Sequence, residues 1–138
     1  MKNFNSLICC AFLVAAAAGC KSKATAPACP DVLAGTWHLT SRSCACAPTP
    51  MQDETIILAD NQEYSVLRDG LLTTKGTYAI SQGAACGGGS AVPFLTFTPA
   101  APGGYAPNGT YTLRDCTLVI DQCQTADRTV LAYGHPVD

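Results

Sequence analysis

Nine cysteines carry most of the chemistry this 138-residue chain has to offer. A thiol can pair with another, ligate a soft metal or act as a nucleophile, and its neighbours decide which. Cys44-Ala45-Cys46 is the tightest pair. Zinc sites use C-x₂-C or wider pairs, completed by a second pair or by histidines. The histidines here, His38 and His135, stand at no supporting spacing, so no metal and no other cofactor is expected. A catalytic set is not evident either: the chain has no G-x-S-x-G elbow and no H-E-x-x-H helix. His38 alternates with Trp37 and faces outward if Trp37 faces in. His135 lies three residues from the end, where fraying is expected. Asp53, Asp60, Asp69, Asp115, Asp121 and Asp127 sit mostly at turns, where a short carboxylate caps backbone amides. Asp53-Glu54 opens a strand and reads as a solvated rim. The chain is expected not to be an enzyme.

The cysteines fall into three groups, and the N-terminus sorts them. Cys9 and Cys10 belong to an uncharged run of thirteen residues, 7–19. A helix rising ~1.5 Å per residue covers roughly 20 Å with such a run, against about 30 Å of hydrocarbon core. The run is short for a span and fits a secretory leader, with Lys2 before it and small residues at its exit. Ala17-Ala18-Gly19-Cys20 resembles the lipobox of bacterial lipoproteins. That resemblance implies cleavage before Cys20 and lipidation of its thiol, with diacylglycerol and palmitate-type acyl chains. Residues 20–31 then form the anchor cysteine and an Ala/Pro-rich tether. Some surface lipoproteins of Bacteroidetes carry a run of acids after the cysteine; Lys21-Ser22-Lys23 stands here, which favours an outer-membrane position facing the periplasm, with surface exposure as the alternative. Removing residues 1–19 from 138 leaves 119, with seven basic side chains against ten acidic. That balance argues against a nucleic-acid partner.

Six cysteines remain: Cys29 in the tether, and Cys44, Cys46, Cys86, Cys116 and Cys123 in an exported domain over 32–138. Disulfides are expected, with fifteen possible connectivities. The elements that must position them are strands. No segment holds a 3.6-residue apolar period. Residues 36–42, 55–59, 63–68, 71–81, 92–98, 110–114, 116–122 and 128–133 are rich in Thr, Val, Ile, Leu, Tyr and Phe and separated by turn residues. Asp60-Asn61 and Asp69-Gly70 fit tight hairpins, and Arg114-Asp115 a third. About eight antiparallel strands with no room for crossover helices predict an all-β single domain, an up-and-down β-barrel whose closure leaves no free edge.

One pattern recurs on three strands: Gly35-Thr36-Trp37-His38-Leu39, Gly76-Thr77-Tyr78-Ala79-Ile80 and Gly109-Thr110-Tyr111-Thr112-Leu113. Glycine permits a close backbone approach and the aromatic on the same face fills the interior. Leu33-Ala34-Gly35-Thr36-Trp37-His38-Leu39, followed by a hairpin from Asp60 to Val66 and by the Gly76 to Ile80 strand, resembles the small lipocalin-like domain of Bacteroidetes lipoproteins over roughly 32–133. The resemblance implies a lipocalin-like barrel and a cation–π contact of Arg128, from the last strand, over Trp37.

An up-and-down barrel also sorts its loops. Alternate loops share an end, which groups Cys29, Cys86 and Cys116 at one end and Cys44, Cys46 and Cys123 at the other. Strands of about six residues span roughly 20 Å, while a disulfide needs Cα atoms about 6 Å apart. Cys86 with Cys116, and Cys123 with Cys44 or Cys46, are the preferred pairs. Each end then holds an odd number, so Cys29 must reach the far end or two thiols stay free.

Three functions follow. The first is a monomeric binding module for a small apolar ligand, with Trp37, Leu39, Tyr78, Ile80, Phe94 and Tyr111 as interior candidates; an eight-stranded barrel has little spare room, so these side chains can equally be filling. The second is a protein-interaction module, such as an inhibitor of an exported hydrolase, acting through the Pro/Gly-rich loops. The third, an enzyme, has the least behind it.

Overall fold

A computed structural model describes residues 29, 31–123 and 127–136. The expected leader, Cys20 and nearly all of the tether lie outside the described residues. Eight strands follow in chain order: β1 (Gly35–Ser43), β2 (Glu54–Leu58), β3 (Glu63–Arg68), β4 (Leu71–Ala84), β5 (Ala91–Pro99), β6 (Gly109–Arg114), β7 (Thr117–Gln122) and β8 (Thr129–Gly134). Each pairs antiparallel with the next, and β8 pairs with β1, giving a closed up-and-down barrel. Closure satisfies the backbone donors and acceptors that an open sheet would leave at its edges.

Turn chemistry sets the register. Asp69 and Gly70 both have positive φ, 51° and 75°, the requirement of a two-residue type I′ turn. The β6–β7 turn meets the same requirement with Asp115 and Cys116, at 48° and 59°, one residue later than Arg114-Asp115. Two register shifts, at Leu39/Ser41 in β1 against β8 and at Val66/Leu67 in β3 against β4, curve the wall. At the second, the Thr73 hydroxyl donates to Val66 O at 3.0 Å.

The interior is filled with side chains. Trp37, Ile56, Leu58, Tyr64, Val66, Leu95, Phe97, Leu118, Ile120, Leu131 and Tyr133 are buried, with Leu33 and Tyr78 beside them. Leu39, Tyr105, Ala106, Tyr111 and Leu113 pack against this cluster from its margins. The Trp37 indole N–H donates to Leu33 O at 2.9 Å, so the segment before β1 closes one end. The recurrent glycines make close approaches possible. A Cβ on Gly76 would strike Thr98 O and lie 2.8 Å from Tyr64, and one on Gly109 would strike the Asp121 carbonyl.

Two interior candidates are corrected. Phe94 lies on the face opposite Leu95 and Phe97, which are the buried ones. Ile80 is 55% exposed. β3 covers β4 only as far as Glu63↔Thr77, whereas β4–β5 pairing runs on to Ala84↔Ala91. Beyond Thr77 β4 outruns β3, so Ile80, although it has the inward parity and pairs with buried Leu95, lacks the neighbouring strand that would cover it.

The same ribbon overturns the preferred disulfides. Cys29 pairs with Cys116, Cys44 with Cys46 and Cys86 with Cys123. The first two obey the rule of shared ends. The third breaks it because β4 and β5 have 14 and 9 residues instead of about six. Their tip reaches the flank of β6 and β7, where Cys86 Sγ lies 3.6 Å from Thr110 Oγ1. Cys29 therefore has a partner at its own end, and no thiol among these six is left over.

Candidate functional site

Strand alternation places two charged residues inside the barrel. Glu54 shares a face with Ile56 and Leu58, and Arg68 shares one with Tyr64 and Val66. The β2–β3 register sets Glu54 directly opposite Arg68. Glu54 is only 4% exposed, which corrects the reading of it as a solvated rim: Asp53 is exposed and Glu54, one residue on, faces the core.

A buried carboxylate must be paired and hydrogen-bonded to persist. Arg68 donates to Glu54 Oε2 from Nε and from Nη2, each at 2.9 Å. The buried Tyr133 hydroxyl donates to Glu54 Oε1 at 2.8 Å. The Arg68 guanidinium also lies 4.5 Å from the centroid of the Tyr105 ring, a cation–π distance. Tyr105 comes from the loop between β5 and β6 and is fixed at its own backbone. Its N–H donates to Thr74 Oγ1 at 3.2 Å and its carbonyl accepts from the Tyr64 hydroxyl at 2.9 Å. Farther along the loop, Pro107 is fully buried and the Asn108 side chain accepts from the Phe97 N–H at 2.6 Å.

The electrostatics keep the tyrosines protonated. Burial, followed by the nearby Glu54 carboxylate, pushes the Tyr105 phenol up to about 12. Tyr133 is raised too, first by burial and then by Tyr105 and Glu54. Both therefore stay proton donors through the neutral range. The assembly is a polar plug: a carboxylate hub, a cation and two phenols that hold one loop in the barrel mouth.

The clefts lie outside this plug. One of about 400 Å³ runs between β4 and the plugging loop, lined by Leu72, Thr74, Lys75, Ala101 and Gly104 among others. Another, of about 330 Å³, lies along the β1–β2 loop, between Arg42, Cys46, Pro48 and Met51. Leu71, Leu72 and Met51 are exposed at this rim, by 72%, 60% and 56%.

The other sequence candidates are scattered. Trp37 and Tyr78 are buried, while Leu39 and Tyr111 are partly buried against the core. Arg128 does not cover Trp37, which corrects that expectation: it precedes β8, is 65% exposed and pairs with Asp121 at 3.5 Å. The Trp37 ring instead meets His135 edge-on at 5.3 Å. His135 is tied down rather than frayed, because its N–H donates to Cys116 O at 2.8 Å, beside the Cys29–Cys116 disulfide. His38 is exposed, with Nδ1 2.8 Å from the Thr55 hydroxyl. Of Glu54, Arg68, Tyr105 and Tyr133, sequence marked only Glu54, and that as a solvated rim. The signal for the first two was present, since each lies two residues from a core apolar position on its own strand. Comparison of the chain with protein-family models, with curated proteins and with solved structures gives no match.

Proposed function

We propose that this chain is an exported, lipid-anchored binding module that engages a protein partner through one rim of its barrel and catalyses no reaction. The observation that carries this reading is the filled interior, closed by the Glu54–Arg68–Tyr105–Tyr133 plug. A ligand carrier of this size needs a vacant core, and large buried side chains occupy it here. The surface left for recognition is the rim, with exposed Leu71, Leu72 and Met51 around two open clefts. Exposed apolar groups gathered beside open clefts are what partner surfaces are made of. A lipobox at Cys20 and the tether after it support tethering to the outer membrane, facing the periplasm, and the buried Trp37 at the start of β1 supports a lipocalin-like ancestry. Carriage of a small apolar ligand is the second reading, favoured by the cleft of about 400 Å³ beside Leu72.

Native mass spectrometry of residues 21–138, exported without the lipid cysteine, separates the two. The expected spectrum is the bare polypeptide with three disulfides, each lowering the mass by about two units. A bound molecule lost on denaturation would overturn the filled-barrel reading in favour of carriage. Cross-linking in whole envelopes then tests the rim: Leu71→Lys with Leu72→Lys is expected to abolish a specific protein adduct without lowering Tm. Loss of acyl label on Cys20→Ser tests the anchor.

A further inference from the structure

Cys86, Asp121 and Cys123 converge on the flank of the barrel, on the side away from the packed core. One Sγ from each cysteine and a carboxylate oxygen of Asp121 lie within 4.8 Å of one another. The cysteines are joined as a disulfide. Asp121 Oδ2 accepts from Arg128 Nη2 at 3.5 Å, but Oδ1 is buried without a hydrogen-bond partner among the described residues. A buried oxygen with unused lone pairs is uncommon in a folded chain and calls for a partner. An open cleft of about 350 Å³ brings Cys86, Thr110, Asp121 and Arg128 together. The metal reading considered from the sequence rested on Cys44 and Cys46; this cluster shares no residue with it.

We propose that Cys86, Cys123 and Asp121 form a redox-gated site for one thiophilic dication of the zinc class. In the oxidised chain the site is closed by its own disulfide. Two equivalents of a thiol reductant open it: they become a disulfide, and their two electrons and two protons leave Cys86 and Cys123 as separate thiols. Binding the dication then releases those two protons to solvent and leaves two thiolates and a carboxylate as ligands.

Geometry, donor type and charge agree. Tetrahedral zinc, with Zn–S about 2.3 Å and Zn–O about 2.0–2.2 Å, sets its donor atoms roughly 3.5–3.8 Å apart, inside the span observed. The two sulfurs must separate by about 1.7 Å from their bonded distance. Gly87, Gly88 and Gly89 follow Cys86 with open space around each, so the loop can yield. Thiolates with one carboxylate suit zinc better than the hard cations. Two thiolates and the Asp121 carboxylate balance a dication plus the Arg128 guanidinium, so the assembled site is neutral. The fourth position falls to solvent or to the Thr110 hydroxyl, 3.6 Å from Cys86 Sγ.

Cobalt(II) titration of the mature chain, oxidised and after reduction with a phosphine, tests this. The reduced wild type is expected to take up one equivalent with a thiolate-to-cobalt charge-transfer band, displaced by zinc; the oxidised chain is expected to show none. Cys123→Ser should abolish the band, and Asp121→Asn should weaken binding at least tenfold. Cys44→Ser with Cys46→Ser should leave it intact. No band in the reduced wild type overturns the site. So does a band that survives Cys123→Ser and is lost with the Cys44/Cys46 pair. Unaltered affinity in Asp121→Asn removes Asp121 from the ligand set and overturns the proposal as stated. If reduction unfolds the barrel, zinc should restore the emission of buried Trp37 in the wild type and not in Cys123→Ser; failure to do so also overturns it.

Discussion

Glu54→Ala takes the acceptor out of the plug, and the structure sets the size of the effect. The Tyr133 hydroxyl is buried and donates to Glu54 Oε1 at 2.8 Å. Without that acceptor it stays unsatisfied in the core, a loss of roughly 1–3 kcal/mol. Arg68 loses both of its bonds to Oε2. Its side chain is 32% exposed, so water rescues much of its charge, and that part is discounted to about 1 kcal/mol. The expected total is about 3 kcal/mol, or roughly 12 °C in Tm for a domain near 100 residues. Glu54→Gln keeps an acceptor oxygen and should cost about half as much. Urea unfolding of the oxidised domain, followed by the fluorescence of the single, fully buried Trp37, measures it. Asp53→Ala is the internal control, because that side chain is exposed and its loss should stay within about 0.5 kcal/mol. Equal, small losses for Glu54→Ala and Asp53→Ala would refute the buried hub. Glu54→Ala with Arg68→Ala should cost less than the two singles together, since neither charge is then stranded.

The disulfides should differ in worth. Cys29–Cys116 closes a sequence separation of 87 and Cys44–Cys46 one of 2. In the chain-entropy model, paired serine replacements should cost about 4–5 kcal/mol at the first and roughly 1–2 kcal/mol at the second; urea midpoints compare them, and equal losses would reject a loop-entropy origin. Gly76→Ala should cost about 3 kcal/mol, because its Cβ would meet Thr98 O and lie 2.8 Å from Tyr64; wild-type stability would mean that the β4–β5 wall is looser than described. Tyr105, raised to about 12 by burial first and Glu54 second, holds its proton more tightly folded than unfolded. Its contribution is therefore fully present below pH ~10 and is lost as pH rises from there towards ~12. Phenolate absorbance against pH should show late-ionising tyrosines in the folded chain and one ordinary transition in urea; identical titrations would reject the plug's electrostatics.

Strand identity and order were legible because they depend on local chemistry. Thr, Val, Ile and aromatic runs between turn residues mark eight strands, and Asp69-Gly70 dictates a tight hairpin whatever surrounds it. Eight antiparallel strands with no crossover element leave closure as the economical end, and Gly76 and Gly109 supply the close approaches it needs. Strand alternation alone also puts Glu54 and Arg68 on the inward parity, two residues from Ile56 and Val66. Tertiary structure decided what no local pattern encodes. How far β4 and β5 outrun their neighbours determines that Ile80 lies in solvent and that Cys86 crosses to Cys123. How the β5–β6 loop folds back determines that Tyr105 covers Arg68 and that the barrel mouth is shut. Strand propensity is set by a residue and its immediate neighbours, but a loop's resting place is set by which distant side chains it can satisfy. That sum exists only once the barrel has closed around Glu54.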